Sequence, residues 1–124
     1  MTYKDLDVFK RSFELAIKIH KISLTLPKEY KLELADQIRR ASRSIPSNIA
    51  EGFARKKSKK DTINYLKDSL GSTDEIAFNL EFMWKVELLS DEQYRSLSEQ
   101  YVIIGKELTN LIKSLSKSTR FTSN

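Results

Sequence analysis

The residues with the clearest capacity for chemistry are cations near the middle of the chain. Between Arg39 and Lys60 lie eight lysines and arginines, with Glu51 as the acidic residue among them. Clustered cations displace counterions from a phosphate backbone, which gives salt-dependent binding with little sequence preference. The residues that we predict to contact nucleic-acid phosphates are Arg39, Arg40, Arg43, Arg55, Lys56, Lys57, Lys59 and Lys60.

The same cluster is equally compatible with a solvated helix junction. Asp36 precedes Arg40 by four residues and Glu51 precedes Arg55 by four, which is the spacing of ordinary ion pairs on a helix. No aromatic residue interleaves with the basic run 55–60, so stacking on nucleic-acid bases is not indicated. The sequence leaves the functional and the structural interpretation open.

Patterns for catalysis or metal binding are missing from the sequence. A di-iron bundle needs Glu-x-x-His on two helices, whereas His20 is the single histidine of the chain and there is no cysteine. The three glycines are dispersed and form no phosphate loop. We predict that His20 is a hydrogen-bonded structural histidine on an apolar helix face. We further predict that the protein has no catalytic residue, metal or cofactor and is not an enzyme.

The formal net charge of +5 is unevenly distributed along the chain. Residues 1–60 carry 15 Lys/Arg against 7 Asp/Glu, whereas residues 61–124 carry 7 against 10. The basic half predicts attraction for polyanions. The N-terminus lacks the apolar stretch of a signal peptide, and no run of about 18 apolar residues predicts a membrane span. We therefore expect a cytoplasmic protein without membrane contact.

Helices are the elements that must position these cations. Three glycines and two prolines in 124 residues leave little material for repeated tight turns, which favours an all-α protein. Apolar residues at three- and four-residue steps predict helices over about residues 7–26, 31–56, 59–88 and 91–117. Four such helices with short connections predict an antiparallel up-down-up-down four-helix bundle, in a single domain over residues 1–124.

Several residues mark where these helices begin, bend or pack. Ser58 and Ser90 have the spacing of N-caps for the third and fourth helices. Pro46 predicts a kink in the second helix and not a break, because the apolar stripe keeps its helical phase on both sides. Gly71 lies in mid-helix, where glycine costs about 1 kcal/mol relative to alanine, so we expect close helix approach there. Gly52 is interpreted as a tight-packing or helix-weakening position.

The first helix carries two apolar stripes, which predicts that it buries more than one face. The first stripe contains Leu6, Phe9, Phe13, Ala16, Ile17, His20 and Leu24. The second stripe contains Val8, Leu15, Ile19, Ile22 and Leu26. A strip of small residues on the second helix, Ser47, Ala50 and Ala54, is interpreted either as an assembly face or as a simply exposed surface. Two apolar stripes on one helix favour a homo-oligomer.

A family resemblance adds to this interpretation. It rests on residues 37–41, QIRRA, and 44–53, SIPSNIAEGF, and extends to residues 3–9 and to Tyr65-Leu66, Gly71-Ser72 and Glu75. In these motifs the chain resembles the bacterial four-helix-bundle family known from proteins encoded in intervening sequences of 23S ribosomal RNA genes. One departure is that Ala77 and Phe78 stand where the family often has a second acidic residue.

The resemblance implies a homo-oligomeric bundle, a pentameric ring, with a positively charged surface suited to nucleic acid, including RNA. The family is distantly similar to the accessory protein of diversity-generating retroelements, which binds a reverse transcriptase and nucleic acid. Weak phosphate contacts repeated around such a ring would add through multivalency. The alternative function is a protein-interaction adaptor, or an accessory subunit for a polymerase or reverse transcriptase.

Overall fold

Four helices make up the computed structural model, which describes residues 2–55 and 57–118. They are α1 (Asp7–Leu24), α2 (Leu34–Gly52), α3 (Lys59–Lys85) and α4 (Asp91–Lys117), with single 3-10 turns at Tyr3–Asp5 and Lys28–Tyr30. The described residues contain no strand. The predicted all-α, four-helix bundle is therefore confirmed.

Each helix packs against the helix that follows it, and α4 returns beside α1. The short connections require consecutive helices to run antiparallel. An ion pair between Arg11 on α1 and Glu107 on α4, 3.1 Å between nitrogen and oxygen, lies where the first and last helices meet. The bundle thus places the basic turn between α2 and α3 at the end where α4 also finishes.

Local capping determines where α3 and α4 begin, as the sequence predicted. The Ser58 hydroxyl accepts a hydrogen bond from the backbone N–H of Asp61 at 3.1 Å. Ser90 and Gln93 form a reciprocal capping box, with both hydrogen bonds 3.0 Å long. These contacts satisfy backbone donors that have no partner inside a helix.

Both ends of α2 and the ends of α1 and α3 differ from the predicted bounds, and α1 ends at Leu24 and not at residue 26. Helix α2 ends at Gly52 because the Gly52 carbonyl accepts the hydroxyl of Thr62 at 2.6 Å, which replaces the bond that a continuing helix would need. Its start is delayed to Leu34 by the 3-10 turn that precedes it. Helix α3 ends where Glu87 takes a left-handed conformation with φ of 65°, and the Leu88 N–H reaches back to the helix carbonyls.

The core is built from one side of each helix. Its side chains with less than 2% exposure include Leu15, Ile19, Ile38, Ile45, Ile49, Leu66, Ile76, Leu80, Met83, Tyr101, Ile104 and Leu108. Helix α1 contributes its second stripe to this core, whereas Phe13, Ile17 and Leu24 of the first stripe are exposed. Helix α1 thus has the two apolar stripes that the sequence predicted, but the bundle buries only one of them.

Helix α2 continues through Pro46 without a break. Ile38, Ile45 and Ile49 have no exposed surface, so the apolar stripe keeps one direction on both sides of the proline. The carbonyl of Ser42 loses its usual helical donor because proline has no backbone N–H. A bend of the helix axis at this point stays a prediction.

Close approach between α2 and α3 occurs at Gly52 and not at Gly71, which corrects the expectation for the mid-helix glycine. A β-carbon at Gly52 would lie 3.1 Å from Tyr65 Cβ and 3.3 Å from the Thr62 carbonyl oxygen. A β-carbon at Gly71 would meet no atom within 4 Å. Nearby, Ser69 donates a hydrogen bond to the Ile45 carbonyl at 2.8 Å, so small side chains allow the two backbones to approach.

Tyr101 has a buried hydroxyl without a hydrogen-bond partner among the residues that the structure describes. Burial raises the pKa of Tyr101, because the phenolate would lose its hydration. In the folded chain, the Tyr101 hydroxyl therefore keeps its proton above pH 10. In the unfolded chain, the same hydroxyl loses its proton near pH 10. The consequence is that the free energy of unfolding is constant below pH 10 with respect to this group and decreases above it.

We expect the variant Tyr101→Phe to lose part of this alkaline destabilisation. One titrating group changes the free energy of unfolding by up to about 1.4 kcal/mol per pH unit. Urea unfolding at pH 9 and pH 11 measures the difference between variant and parent, which cancels the contribution of the lysines. An equal loss of stability in both proteins between these pH values would contradict the assignment.

Candidate nucleic-acid interface

The basic turn between α2 and α3 is held in place by contacts with both helices. The buried hydrogen bond from Thr62 to the Gly52 carbonyl ties the first turn of α3 to the end of α2. Ser58 caps α3 from within the turn. These two contacts make the turn a defined platform for the cations of residues 55–60, of which Lys56 lies outside the described residues.

Lys57 is occupied by neighbouring side chains. Its ammonium lies 3.3 Å from a Glu51 carboxylate oxygen and 4.9 Å from the centre of the Tyr65 ring. The contact with Glu51 is the main cause that raises the pKa of Lys57. The sequence predicted that Glu51 would pair with Arg55, and this is wrong, because the chain turns after Gly52 and brings Lys57 back to the carboxylate.

Lys59 has a structural role at the end of α4. Its ammonium donates hydrogen bonds to the backbone carbonyls of Ser116 and Ser118, at 3.2 and 3.0 Å. The last carbonyls of a helix lack intrahelical donors, and a cation there is favourable. Lys59 therefore joins the α2–α3 turn to the C-terminus of α4, which the sequence did not indicate.

Arg55 and Lys60 are exposed and make no ion pair or hydrogen bond within the described part of the chain. They differ in this from Lys57 and Lys59, whose charges are partly engaged. A phosphate could therefore approach Arg55 and Lys60 without first breaking an internal contact. These two residues are the most available cations of the turn.

The three arginines of α2 are separate from the turn and point in two directions. Arg39 donates to the Ser23 hydroxyl of α1 at 2.9 Å, and both Arg39 and Arg43 border the same open surface as Phe13 and Ile17, so both lie on the side of α1. Arg40 lies on the side of α3 and pairs with Asp36 at 3.1 Å, as its spacing predicted. From Arg43 to the end of α2, nine residues of helix span about 13 Å.

Arg39 and Arg43 border an open apolar groove between α1 and α2, with a volume of about 460 Å³. Its walls are Phe9, Phe13, Ala16, Ile17, His20, Pro46, Ser47 and Ala50. The walls thus combine the first apolar stripe of α1 with two of the three small residues noted on α2. We call this feature the α1–α2 groove.

His20 does not have the environment that the sequence predicted. It is exposed in the α1–α2 groove, and its imidazole makes no hydrogen bond to any described residue. The prediction of a hydrogen-bonded structural histidine is wrong, because the stripe that carries His20 faces outward.

Among the described residues, no group of three or more His, Cys, Asp or Glu side chains is arranged to hold a metal ion.

A second exposed apolar region lies on α4. Val102 and Ile103 are exposed beside a parallel stack of the Trp84 and Tyr94 rings, whose centres are 4.5 Å apart. The indole N–H of Trp84 donates to Asp91 at 2.7 Å and so positions the stack.

None of the helices within residues 2–55 and 57–118 has the length and apolar character needed to cross a membrane.

Two comparisons place these features among known proteins. A model described as 23S rRNA-intervening sequence protein matches residues 4–110, which include all the candidate cations. The chain is also similar to the crystal structure of a protein with unknown function from the S23 ribosomal protein family of Bacteroides thetaiotaomicron. The TM-score is 0.78 at 33% identity, over 86% of this chain and 95% of that chain. No curated protein matches the chain.

Proposed function

Because the chain belongs to the family of 23S rRNA-intervening sequence proteins, we propose that it is a non-enzymatic homo-oligomer that binds nucleic acid, with RNA as the first candidate. The contact surface is the turn between α2 and α3, centred on Arg55 and Lys60. The lack of cysteine suits a reducing compartment, and we place the protein in the cytoplasm.

The observation that carries this proposal is the availability of charge at the α2–α3 turn. Arg55 and Lys60 are exposed and unpaired among the described residues, while Lys57 and Lys59 add positive potential beside them. Residue Glu51 is the one carboxylate between residues 39 and 60, and it is already paired with Lys57. Phosphate contacts from such a surface supply affinity and little sequence preference.

Self-association strengthens the proposal because a single turn offers few contacts. Each phosphate contact in water is weak, and several turns on one assembly convert later contacts into intramolecular ones. The exposed apolar walls of the α1–α2 groove support an assembly, since contiguous apolar surface of this kind marks interaction sites. Five copies is the number that the family resemblance implies.

Titration with labelled single-stranded RNA and DNA at two salt concentrations tests the proposal, together with light scattering of the free protein. We expect binding at low salt that weakens steeply as salt rises. We also expect a solution mass near five times the 14.4 kDa of one chain. A chain that stays monomeric, or that binds neither nucleic acid at low salt, would refute the corresponding half of the proposal.

The exposed apolar region of α4 favours a second candidate, a protein-interaction adaptor. Val102 and Ile103 present an apolar surface next to the Trp84–Tyr94 stack, and aromatic residues are enriched at the centres of protein interfaces. The partner would be a polymerase or reverse transcriptase for which the bundle is an accessory subunit. An oligomer that binds no nucleic acid at low salt would favour this candidate.

A further inference from the structure

The exposed face of α3 is apolar with acidic neighbours, whereas the α1–α2 groove is apolar and bordered by arginines. We propose that the homo-oligomer assembles head to tail, with Phe78 of one chain inserted into the α1–α2 groove of the next. The inference rests on the proposed self-association and specifies which surfaces form the contact.

The groove is the acceptor surface. Phe13 and Ile17 in its walls are 51% and 46% exposed, and no other described segment of the chain covers them. A volume of about 460 Å³ lies within the range of pockets that hold compact apolar groups. Covering this surface with an aromatic side chain would remove apolar area from water, which favours association.

The donor surface is a row of apolar residues on α3. Phe78, Phe82 and Val86 follow one another at four-residue steps, so they share one side of the helix. They are 69%, 43% and 38% exposed, and Phe78 projects most. A phenylalanine with more than two thirds of its surface in water is a strong candidate anchor for an interface.

Charge makes the two surfaces complementary. On a helix, the neighbours of residue 78 are residues 74, 75, 81 and 82, and the first three are Asp74, Glu75 and Glu81. Three of the four helical neighbours of Phe78 are therefore carboxylates. The α1–α2 groove is bordered by Arg39 and Arg43, and none of the described residues in its walls is a carboxylate.

This arrangement decides between the possible symmetries. Two grooves facing each other would bring arginines together, and two α3 faces would bring carboxylates together, so both self-pairings are repulsive. Pairing a groove with an α3 face joins unlike surfaces of two identical chains. Such heterologous contacts generate a closed ring when the rotation between copies closes.

The same contact separates the roles of the candidate cations. Arg39 and Arg43 would pair with carboxylates of the neighbouring copy, so they would serve assembly. Arg55 and Lys60 lie on the turn at the end of the bundle and would remain open to phosphates. Four of the eight candidate cations thus divide into a pair that serves assembly and a pair that contacts nucleic acid.

Two variants that each remove one surface test the inference by light scattering. Phe78→Glu destroys the donor face and keeps the groove, whereas Ile17→Glu places a charge in the groove and keeps the donor face. We expect each variant alone to have the mass of one chain, 14.4 kDa. An equimolar mixture should form a dimer and nothing larger, because it contains one intact groove and one intact donor face.

The matched control is Leu32→Glu, at an apolar position in the connection between α1 and α2 that is 89% exposed and outside both surfaces. It should keep the mass of the parent oligomer, and circular dichroism should show the same helix content in all variants. A parent oligomer that persists in Phe78→Glu, or a mixture that yields no dimer, would overturn the head-to-tail contact and leave self-association standing. A monomeric parent protein would instead refute the proposed self-association itself.

A charge exchange covers the case in which a glutamate at position 78 or 17 prevents folding. Arg43→Glu and Glu75→Arg should each raise the dissociation constant of the assembly by about tenfold or more, since each creates a like-charge contact. In the double variant Arg43→Glu/Glu75→Arg, unlike charges meet again at every contact between copies, so association should recover. Failure of the double variant to recover association would count against the predicted pairing.

Discussion

Replacing Arg55 and Lys60 with glutamine is expected to weaken RNA binding by at least about tenfold at low salt and to make its salt dependence shallower. These are the two exposed cations of the α2–α3 turn without an internal partner among the described residues. Each phosphate contact contributes roughly 0.9 to the slope of log affinity against log salt on duplexes and about 0.7 on single strands. Every chain in contact with RNA would lose two such contributions.

The comparison needs a control with the same change of net charge. Lys18→Gln/Lys21→Gln also removes two exposed cations, but from α1 and away from the basic turn. Fluorescence anisotropy at several salt concentrations should show parental affinity and slope for this control. If both double variants lose affinity equally, net charge and not the turn governs binding.

Replacing Gly52 with valine is expected to destabilise the fold by about 3 kcal/mol. A β-carbon there would lie 3.1 Å from Tyr65 Cβ and 3.3 Å from the Thr62 carbonyl oxygen, and one of these neighbours is backbone. That backbone cannot retreat freely, because the Thr62 hydroxyl is bonded to the Gly52 carbonyl at 2.6 Å. A loss of this size changes the unfolding equilibrium by about two orders of magnitude.

Gly71 provides the matched control for this prediction. It is also a helical glycine, but a β-carbon at that position meets no atom within 4 Å. Gly71→Val should therefore change the free energy of unfolding by less than about 1 kcal/mol, because the added β-carbon meets no neighbour and valine has a better helix propensity than glycine. Urea unfolding measures both changes. Equal effects of the two substitutions would show that the Gly52 contact does not restrict the helices.

The behaviour of these glycines illustrates what sequence could predict for packing. Both occur in helical segments, and their local sequences give no reason to assign close approach to one and open space to the other. The difference arises because Gly52 faces Thr62 and Tyr65 of α3, whereas Gly71 faces outward. Facing direction depends on how each helix is rotated about its axis, which contacts with distant residues determine.

The candidate site shows the same division between local and tertiary information. The number and spacing of cations between Arg39 and Lys60 were evident from the sequence, and the Asp36–Arg40 pair was predicted from its spacing. The partners of Lys57 and Lys59 were not, because a turn and the end of α4 bring them together. The α1–α2 groove was not predicted either, because the spacing gave two apolar stripes on α1 without indicating which of them the bundle leaves exposed.

The sequence by itself determined that the chain is helical, where α3 and α4 begin, and that its first half is basic. These properties depend on interactions within a few residues, such as the Ser58 and Ser90 caps and the three- and four-residue apolar steps. Only the tertiary structure decided which stripe of α1 enters the core, which glycine permits close approach and which cations stay available. Those outcomes depend on contacts between residues far apart in the chain. The same local spacing of apolar residues, glycines and cations is compatible with a packed position and with an exposed one.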